Sequence, residues 1–421
     1  MQDASLVNPD KSQPLGRTIE LPIRAPDLDH VTLRLVRTVI DGCPAAFVTA
    51  RPEMPPSAPA WLSDWAAASG RAMTLEDAQI GAVFEAIERA SLISEGPDDP
   101  RPKHRSNLPL REDNNYWHLS GQQLSRLKSY DEREGTATAG PPGEVAWMPA
   151  FDLLTDKERL VPCTAVFSNE DVRLGWPALI SSSTGAAAHT DVESGIRTAV
   201  LERVERDAVA IWWYNRLPAP RLAKPEMMAA LPPALAAWLA ERRRITWALV
   251  TATDLPVPAF VALSSAPDGT QPALGTAAHL DPRIALRSAV LEMLQCEIGL
   301  THMRELQATA DAPPRPSLLV WSDATNALAT PYIAGEGAAR LPPAIDFETL
   351  LGAFAEHGID IAVADLTRPE FAIPVVKAVS RTLRDWQPRF APGRLYDVPV
   401  SLGRLAEPRQ EADLNPVPFV I

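Results

Sequence analysis

Glu85 and Glu88 stand three residues apart in Phe84-Glu85-Ala86-Ile87-Glu88-Arg89, and Glu202 and Glu205 repeat the spacing in Leu201-Glu202-Arg203-Val204-Glu205-Arg206. A third stretch with a related helical pattern carries Leu291, Glu292 and Gln295. Residues three apart share a helix face, so each pair presents two carboxylates together. Four such groups meeting at one pocket would repel unless a cation lay between them, and an all-oxygen donor set suits a hard divalent ion such as Mg²⁺. On spacing alone the ordinary reading, a solvated Glu/Arg face, is the stronger one. Three features raise the metal reading. The pair recurs, it is flanked by apolar Phe84, Ile87, Leu201 and Val204, and a polar or small-residue stretch precedes each copy. Those stretches, Ser69-Gly70-Arg71 and Ser183-Thr184-Gly185, can offer backbone N–H groups to phosphate oxygens near a helix start. Arg89 and Arg206 either reach phosphates or pair with neighbouring acids, and pairing is the default.

The elements that must carry these groups alternate between strands and helices along the chain. Residues 1–29 read as a flexible lead-in. Strands are expected at His30–Thr38 and Ala45–Thr49 around an Asp41-Gly42 turn. A helix capped by Thr74 or Ser69 should run to about Ser94, with Ala78, Ala82, Ile87 and Leu92 on its apolar side. Residues 95–143, rich in Asp, Pro, Arg, Asn and Gly, read as a variable insert anchored by Tyr116 and Trp117. Strands resume over Val145–Phe167, and the second glutamate helix spans about 191–216. A helical hairpin fills 222–243 and ends in Arg242-Arg243-Arg244. Strands at Ile245–Thr251, Ala259–Leu263 and Gly275–Leu280 lead to a third helix opened by Pro282. A helix at 346–357 and strands at Ile359–Val363 and Pro374–Ser380 close the body, which would span residues 30–404. Residues 405–421 form a proline-bearing tail. The class is α+β, with mixed sheets and packed helices.

With 421 residues, 46% of them hydrophobic, the chain can bury a large core. Its 40 basic and 53 acidic residues give a formal charge of −13, which argues against nonspecific binding to nucleic acid or to an anionic membrane. Cys43, Cys163 and Cys296 are too scattered for a zinc site or a disulfide framework, and a reducing cytoplasm is the default. No signal pattern and no membrane-spanning apolar run occur. The P-loop, Gly-x-Gly-x-x-Gly, Gly-x-Ser-x-Gly and His-Glu-x-x-His motifs are all absent. The seven histidines show no paired spacing.

Ser69-Gly70-Arg71-Ala72-x-Thr74-x-Glu76-x-Ala78 with Glu85 to Arg89 resembles the first signature of YcaO-domain proteins. Ser183 to Ala187, with Glu202 to Ala208 and Trp212-Trp213-Tyr214, resembles the second. Ala277-Ala278-His279-x-Asp281-Pro282 with Glu292 and Gln295 resembles the third, and Asp365 to Pro369, Pro374 to Lys377 and Arg389 to Tyr396 complete the series. The match runs in order from about residue 30 to the C-terminus.

The resemblance implies an ATP and Mg²⁺ site without a P-loop, and a peptide cyclodehydratase close to the microcin-synthetase branch. In such enzymes a Cys, Ser or Thr side chain attacks the preceding amide, ATP phosphorylates the resulting oxygen, and loss of phosphate leaves a thiazoline or oxazoline. By the same resemblance Glu85, Glu88, Glu202 and Glu205 hold magnesium. Arg206 faces the phosphates, and Arg71, Ser183, Thr190, Ser194, Arg287, Glu292 and Gln295 belong to the nucleotide shell. Thr190 and Ser194 stand, in an ungapped alignment, where the family usually has Asn and Glu, and Ser288 stands where Arg is usual. The tail carries Pro416 and Pro418, with the Ile421 carboxylate near the reacting centre. Implied partners are a precursor peptide, a leader-binding subunit related to ubiquitin-activating enzymes, a flavin-dependent azoline dehydrogenase and a second copy of the chain. Two alternatives stay open: the same ATP chemistry forming a thioamide or amidine, and a non-catalytic scaffold, which Thr190, Ser194 and Ser288 motivate.

Overall fold

A computed structural model describes residues 17–21, 32–53, 66–102, 104–106, 116–125, 145–170, 182–251, 253–309 and 314–419. The described strands form three sheets. The first is an antiparallel meander of β1 (Arg17–Leu21), β2 (Thr32–Val39), β3 (Ala46–Glu53) and β4 (Ala68–Ala72). The second contains β5 (His104–Ser106), β6 (Val145–Asp152), β7 (Lys157–Pro162), β8 (Ala186–Ala188), β14 (Ala362–Asp365) and β15 (Val375–Val379), in the order β5-β6-β14-β15-β8, with β7 on β6. The third runs β12 (Ala273–Ala278), β11 (Ala259–Ser265), β10 (Ile245–Thr251), β9 (Arg221–Leu222) and β13 (Ala338–Ala339). Its β9–β13 pair is parallel and makes this sheet mixed; the other pairs described are antiparallel. The α+β expectation holds.

Three long helices carry the acidic pairs: α1 (Leu75–Ser91), α2 (Val192–Asn215) and α3 (Pro282–Gln307). Each starts on a side-chain cap that accepts a backbone N–H of the first turn, from Thr74, Asp191 and Asp281 respectively, which satisfies donors the helix would otherwise orphan. Ser69 is not a cap; it lies inside β4. The expected apolar side of α1 is buried, with Ala78, Ala82 and Ile87 at 0% exposure, and burying Ile87 alone contributes roughly 1.5–3 kcal/mol. Small residues let α1 lie close on its strand. A Cβ on Gly70 would fall 1.9 Å from the Ala78 carbonyl oxygen, so only glycine fits there. From Ala199 onward α2 is buried on nearly every side, as befits a helix crossing the centre of a large body.

Some expected boundaries move. Residues 17–21 of the expected lead-in form β1 and pair with β2. Within the 95–143 segment, β5 pairs with β6, and Tyr116, Trp117 and Leu119 are buried, so these parts are built into the fold. Of the 242–244 run, Arg242 bonds Glu297 and Thr246, while Arg244 bonds Ser264 and the Gln271 carbonyl; only Arg243 is exposed. The strand expected at Ile359–Val363 is β14 and begins at Ala362.

Candidate functional site

Each sheet ends, on the side of the site, in an edge strand: β4, β8 and β12. An edge strand has outward N–H groups with no ladder partner. Here a glutamate from the following helix accepts an N–H of the edge strand or, at Gly185, of the residue just before it. Ser69 N–H donates to Glu85 Oε2 at 3.3 Å, Gly185 N–H to Glu202 Oε2 at 3.0 Å, and Thr276 N–H to Glu292 Oε2 at 2.6 Å. The unit repeats with strict spacing, since Glu85, Glu202 and Glu292 each lie the same three turns past their caps, and Glu88, Glu205 and Gln295 follow one turn later. Each helix also touches the next unit's edge strand, α1 against β8, α2 against β12 and α3 against β4. The ring closes through side chains: Arg71 on β4 donates to Glu292 (2.6 Å) and Gln295 (3.0 Å) on α3, and the Thr276 hydroxyl on β12 donates to Glu205 (2.5 Å) on α2.

The three units enclose a cleft of about 1260 Å³. Glu85, Glu88, Glu202, Glu205, Glu292 and Gln295 all line it, as do Arg71, Ser183 and Arg206. Arg206 bridges Glu202 at 2.7 Å and Glu205, and its guanidinium lies 3.4 Å from the centre of the Trp386 ring. Arg89 pairs with Glu85. Burial, then the charges of Glu202 and Glu85, push the Glu88 carboxyl well above its ordinary range. Burial also raises Glu202 and Glu205, and Glu292 adds to the effect on Glu205. Beneath the loop before β8, buried Lys377 donates to the Val166 and Ser182 carbonyls; burial, then Arg203, lowers it to about 7.

These carboxylates raise one another's proton affinity, the electrostatic mark of a site that gains from a cation. Among the described residues no three acids, histidines or cysteines close into a preformed cage. Mg²⁺ asks for none, since it keeps several waters and takes one or two carboxylates plus phosphate oxygens. Glu85, Glu88, Glu202 and Glu205 would hold it, and Arg71, Arg89 and Arg206 would face the phosphates. The residues therefore fit ATP with Mg²⁺.

Three expected nucleotide residues lie outside the lining: Thr190, Ser194 and Arg287. Thr190 is exposed and bonds His189, and the Ser194 N–H is consumed by the Asp191 cap at 2.8 Å. At about 1.5 Å per residue the helix start lies more than 10 Å from Glu202. Ser288, one step round the helix from Arg287, faces the cleft instead. The Ser69 and Gly185 N–H groups, expected to serve phosphate, are taken by glutamates. Pro416 and Pro418 are exposed and do not line the cleft, and Ile421 lies outside the described residues. The tail approaches through Phe419, whose ring packs 5.3 Å from Trp386 and 5.1 Å from Trp213. Thr276 and Trp386 were not expected at the site; the former sits in a bland Gly-Thr-Ala-Ala run, and nothing in spacing marks the latter.

The chain matches the family model described as YcaO cyclodehydratase, ATP- and Mg²⁺-binding, over residues 69–383. It is similar to a solved heterocyclase in complex with substrate and cofactor, with 28% identity and a TM-score of 0.74, over 92% of this chain and 54% of that one. It is similar to the heterocyclase TruD at 30% identity and a TM-score of 0.63, over 83% and 51%. It shares its fold with the E. coli microcin synthetase McbBCD complex at 13% identity and a TM-score of 0.59, over 93% and 94%. The chain spans about half the length of the two heterocyclases. Because the family match opens in β4 and closes beyond β15, it takes in all three glutamate units, and the chain belongs to the YcaO cyclodehydratase family, which binds ATP and Mg²⁺.

Proposed function

We propose that this protein uses ATP and Mg²⁺ to cyclise Cys, Ser or Thr residues of a ribosomally made precursor peptide. The substrate's side-chain hydroxyl or thiol loses its proton to solvent as its oxygen or sulfur bonds to the preceding amide carbon, and the carbonyl π pair moves onto the oxygen, which takes the negative charge. That oxygen attacks the γ-phosphorus of ATP, ADP leaves, and the amide nitrogen's lone pair expels phosphate as its proton is lost, leaving a C=N bond in the ring. Bound Mg²⁺ supplies charge neutralisation at the phosphates. The chain's residues position and compensate charge: Arg71 and Arg206 hold the nucleotide's anionic end, and the three edge strands fix the glutamates so that little reorganises during transfer.

The observation that carries this reading is the ring of edge-strand N–H groups holding Glu85, Glu202 and Glu292 around one cleft. Tail contact with Trp386, and through it Arg206, favours azoline formation over thioamide or amidine chemistry. The solved heterocyclase with substrate and the multi-subunit microcin synthetase support a peptide substrate and a leader-binding partner subunit. A dehydrogenase acting on the azoline, a homodimeric core and a cytoplasmic location complete the proposal; among the described residues no helix is long and apolar enough to cross a membrane. The test is incubation with partner, precursor, Mg²⁺ and ATP, followed by mass spectrometry. Loss of one water per ring is expected. Phosphate release with no mass loss refutes it, and a mass gain matching sulfur-for-oxygen exchange selects the thioamide route.

A further inference from the structure

A second cavity, of about 430 Å³, lies where residues 221–228 and 239–247 meet Gly337 and Ala338. Arg221, Lys224, Arg242, Arg243 and Arg244 line it, and no aspartate or glutamate does so among the described residues, although the whole chain carries a formal charge of −13. Its floor is apolar, with Met227 and Trp247 buried. Arg242 and Arg244 are tied down by Glu297, at 3.0 and 3.2 Å. The side chains of Lys224 and Arg243 make no hydrogen bond or ion pair with any described residue.

Five cations around a greasy floor repel one another, and one buried carboxylate offsets only part of that. An anion arriving from outside would complete the balance. Residues 221–224 lead into the helical hairpin and 242–244 leave it, so the charges are distributed along the cavity walls. The edge strand β13 contributes Ala338, and Gly337 just before it, to the same wall. A distributed charge beside a strand edge and an apolar floor suits an extended chain bearing carboxylates and an apolar side chain, more than a compact phosphate. Glu297 connects this cavity to α3, the helix that carries Glu292 and Gln295 into the ATP cleft.

We propose that this cavity docks an acidic, extended segment of the peptide substrate, outside the residues that react. The choice of the substrate as the source rests on the cyclodehydratase reading. The first test is fluorescence anisotropy of the full chain with a fluorescein-labelled Glu-Asp-Leu-Glu-Asp-Leu-Glu-Asp peptide. Saturable binding that weakens steeply with salt is expected, and Lys224→Glu with Arg243→Glu should weaken it about tenfold or more while calorimetric MgATP affinity stays unchanged. No saturable binding, equal binding by the double variant, or displacement by inorganic phosphate at matched ionic strength overturns the proposal. The second test uses the cyclisation assay, where the double variant should raise KM for the precursor and leave kcat alone. An unchanged KM, with weaker association of the partner subunit, overturns the substrate as the source. A wild-type chain that binds the acidic probe yet cyclises no peptide overturns the cyclodehydratase reading and leaves the cavity's preference for acidic peptide standing.

Discussion

Phe419→Ala should release the tail without unfolding the protein. The Phe419 ring is 4% exposed and packs edge-on against Trp212 and Trp213, with Trp386 at 5.3 Å. The tail's polar attachments are Asn415 N–H to the Tyr214 carbonyl at 2.8 Å, the Asn415 side-chain amide to the Trp213 carbonyl and the Tyr332 hydroxyl at 3.3 Å each, Trp213 Nε1–H to the Val417 carbonyl at 2.7 Å, and Phe419 N–H to the Tyr214 hydroxyl at 3.4 Å. Ordering the backbone of residues 415–419 costs about 5–10 kcal/mol at roughly 1–2 kcal/mol each. Truncating a buried Phe forfeits about 3–5 kcal/mol, a large share of what offsets that cost. At about 1.4 kcal/mol per factor of ten, the equilibrium constant for docking falls by more than a hundredfold. Limited proteolysis and hydrogen exchange over 415–419 read the release directly. Cyclisation should be lost, because Trp386 loses its cover and Arg206 its fixed stacking partner, while the melting temperature changes little. Unchanged protease resistance of the tail would refute the docking argument, and full turnover with a released tail would refute its role.

Glu202→Ala removes the acceptor for Gly185 N–H and one partner of Arg206, and should weaken MgATP binding on the order of ten- to a hundredfold by calorimetry. Burial, together with neighbouring carboxylates at Glu88 and Glu205, raises the Glu88, Glu202 and Glu205 carboxyls above the 4.5 of an unperturbed glutamate. Above that value the folded chain holds more protons than the unfolded one, so metal-free stability should fall as pH rises; thermal unfolding from about pH 5 to 8 should show this slope flattened by Mg²⁺. Gly275→Ala places a Cβ 2.2 Å from Met293 N and 2.5 Å from the Ala289 carbonyl oxygen. It should cost about 1–3 kcal/mol and nucleotide affinity as α3 is pushed from β12. At exposed Gly352 on the helix Phe347–Glu356, Gly352→Ala meets nothing within 4 Å and should be neutral or slightly stabilising in the same melts.

The three glutamate helices were readable because their signals are local: a capping side chain, a 3.6-residue apolar period and carboxylates one turn apart. β4 was not, since Ala68-Ser69-Gly70-Arg71-Ala72 has no β-branched or aromatic residue and becomes a strand only by pairing with β3. In the Ser69-Gly70-Arg71 stretch, whose N–H groups were expected at phosphate, the Ser69 N–H serves the Glu85 carboxylate and Arg71 reaches Glu292 through its side chain. Thr190 and Ser194 were placed by ungapped alignment, which carries no information on which turn of a helix meets the cleft. Trp386 reaches Arg206 across 180 residues of chain, and no local pattern can report such a contact.

The edge-strand ring also bears on how the molecule comes apart. Each glutamate ties a helix to its own sheet, whereas the polar ties between sheets at the cleft are few: Arg71 to Glu292 and Gln295, Gln295 to the Ser69 hydroxyl, and Thr276 to Glu205. Apolar cores shared by the first and second sheets and by the first and third hold the body together, so in the nucleotide-free chain the edges of the three units at the cleft should open locally before those cores part. A ligand touching all three helices would stitch those units together, contributing about 2.7 kcal/mol at a hundredfold excess over its dissociation constant. Occupancy of the cleft then sets the size of the cooperative unit as well as the midpoint of unfolding.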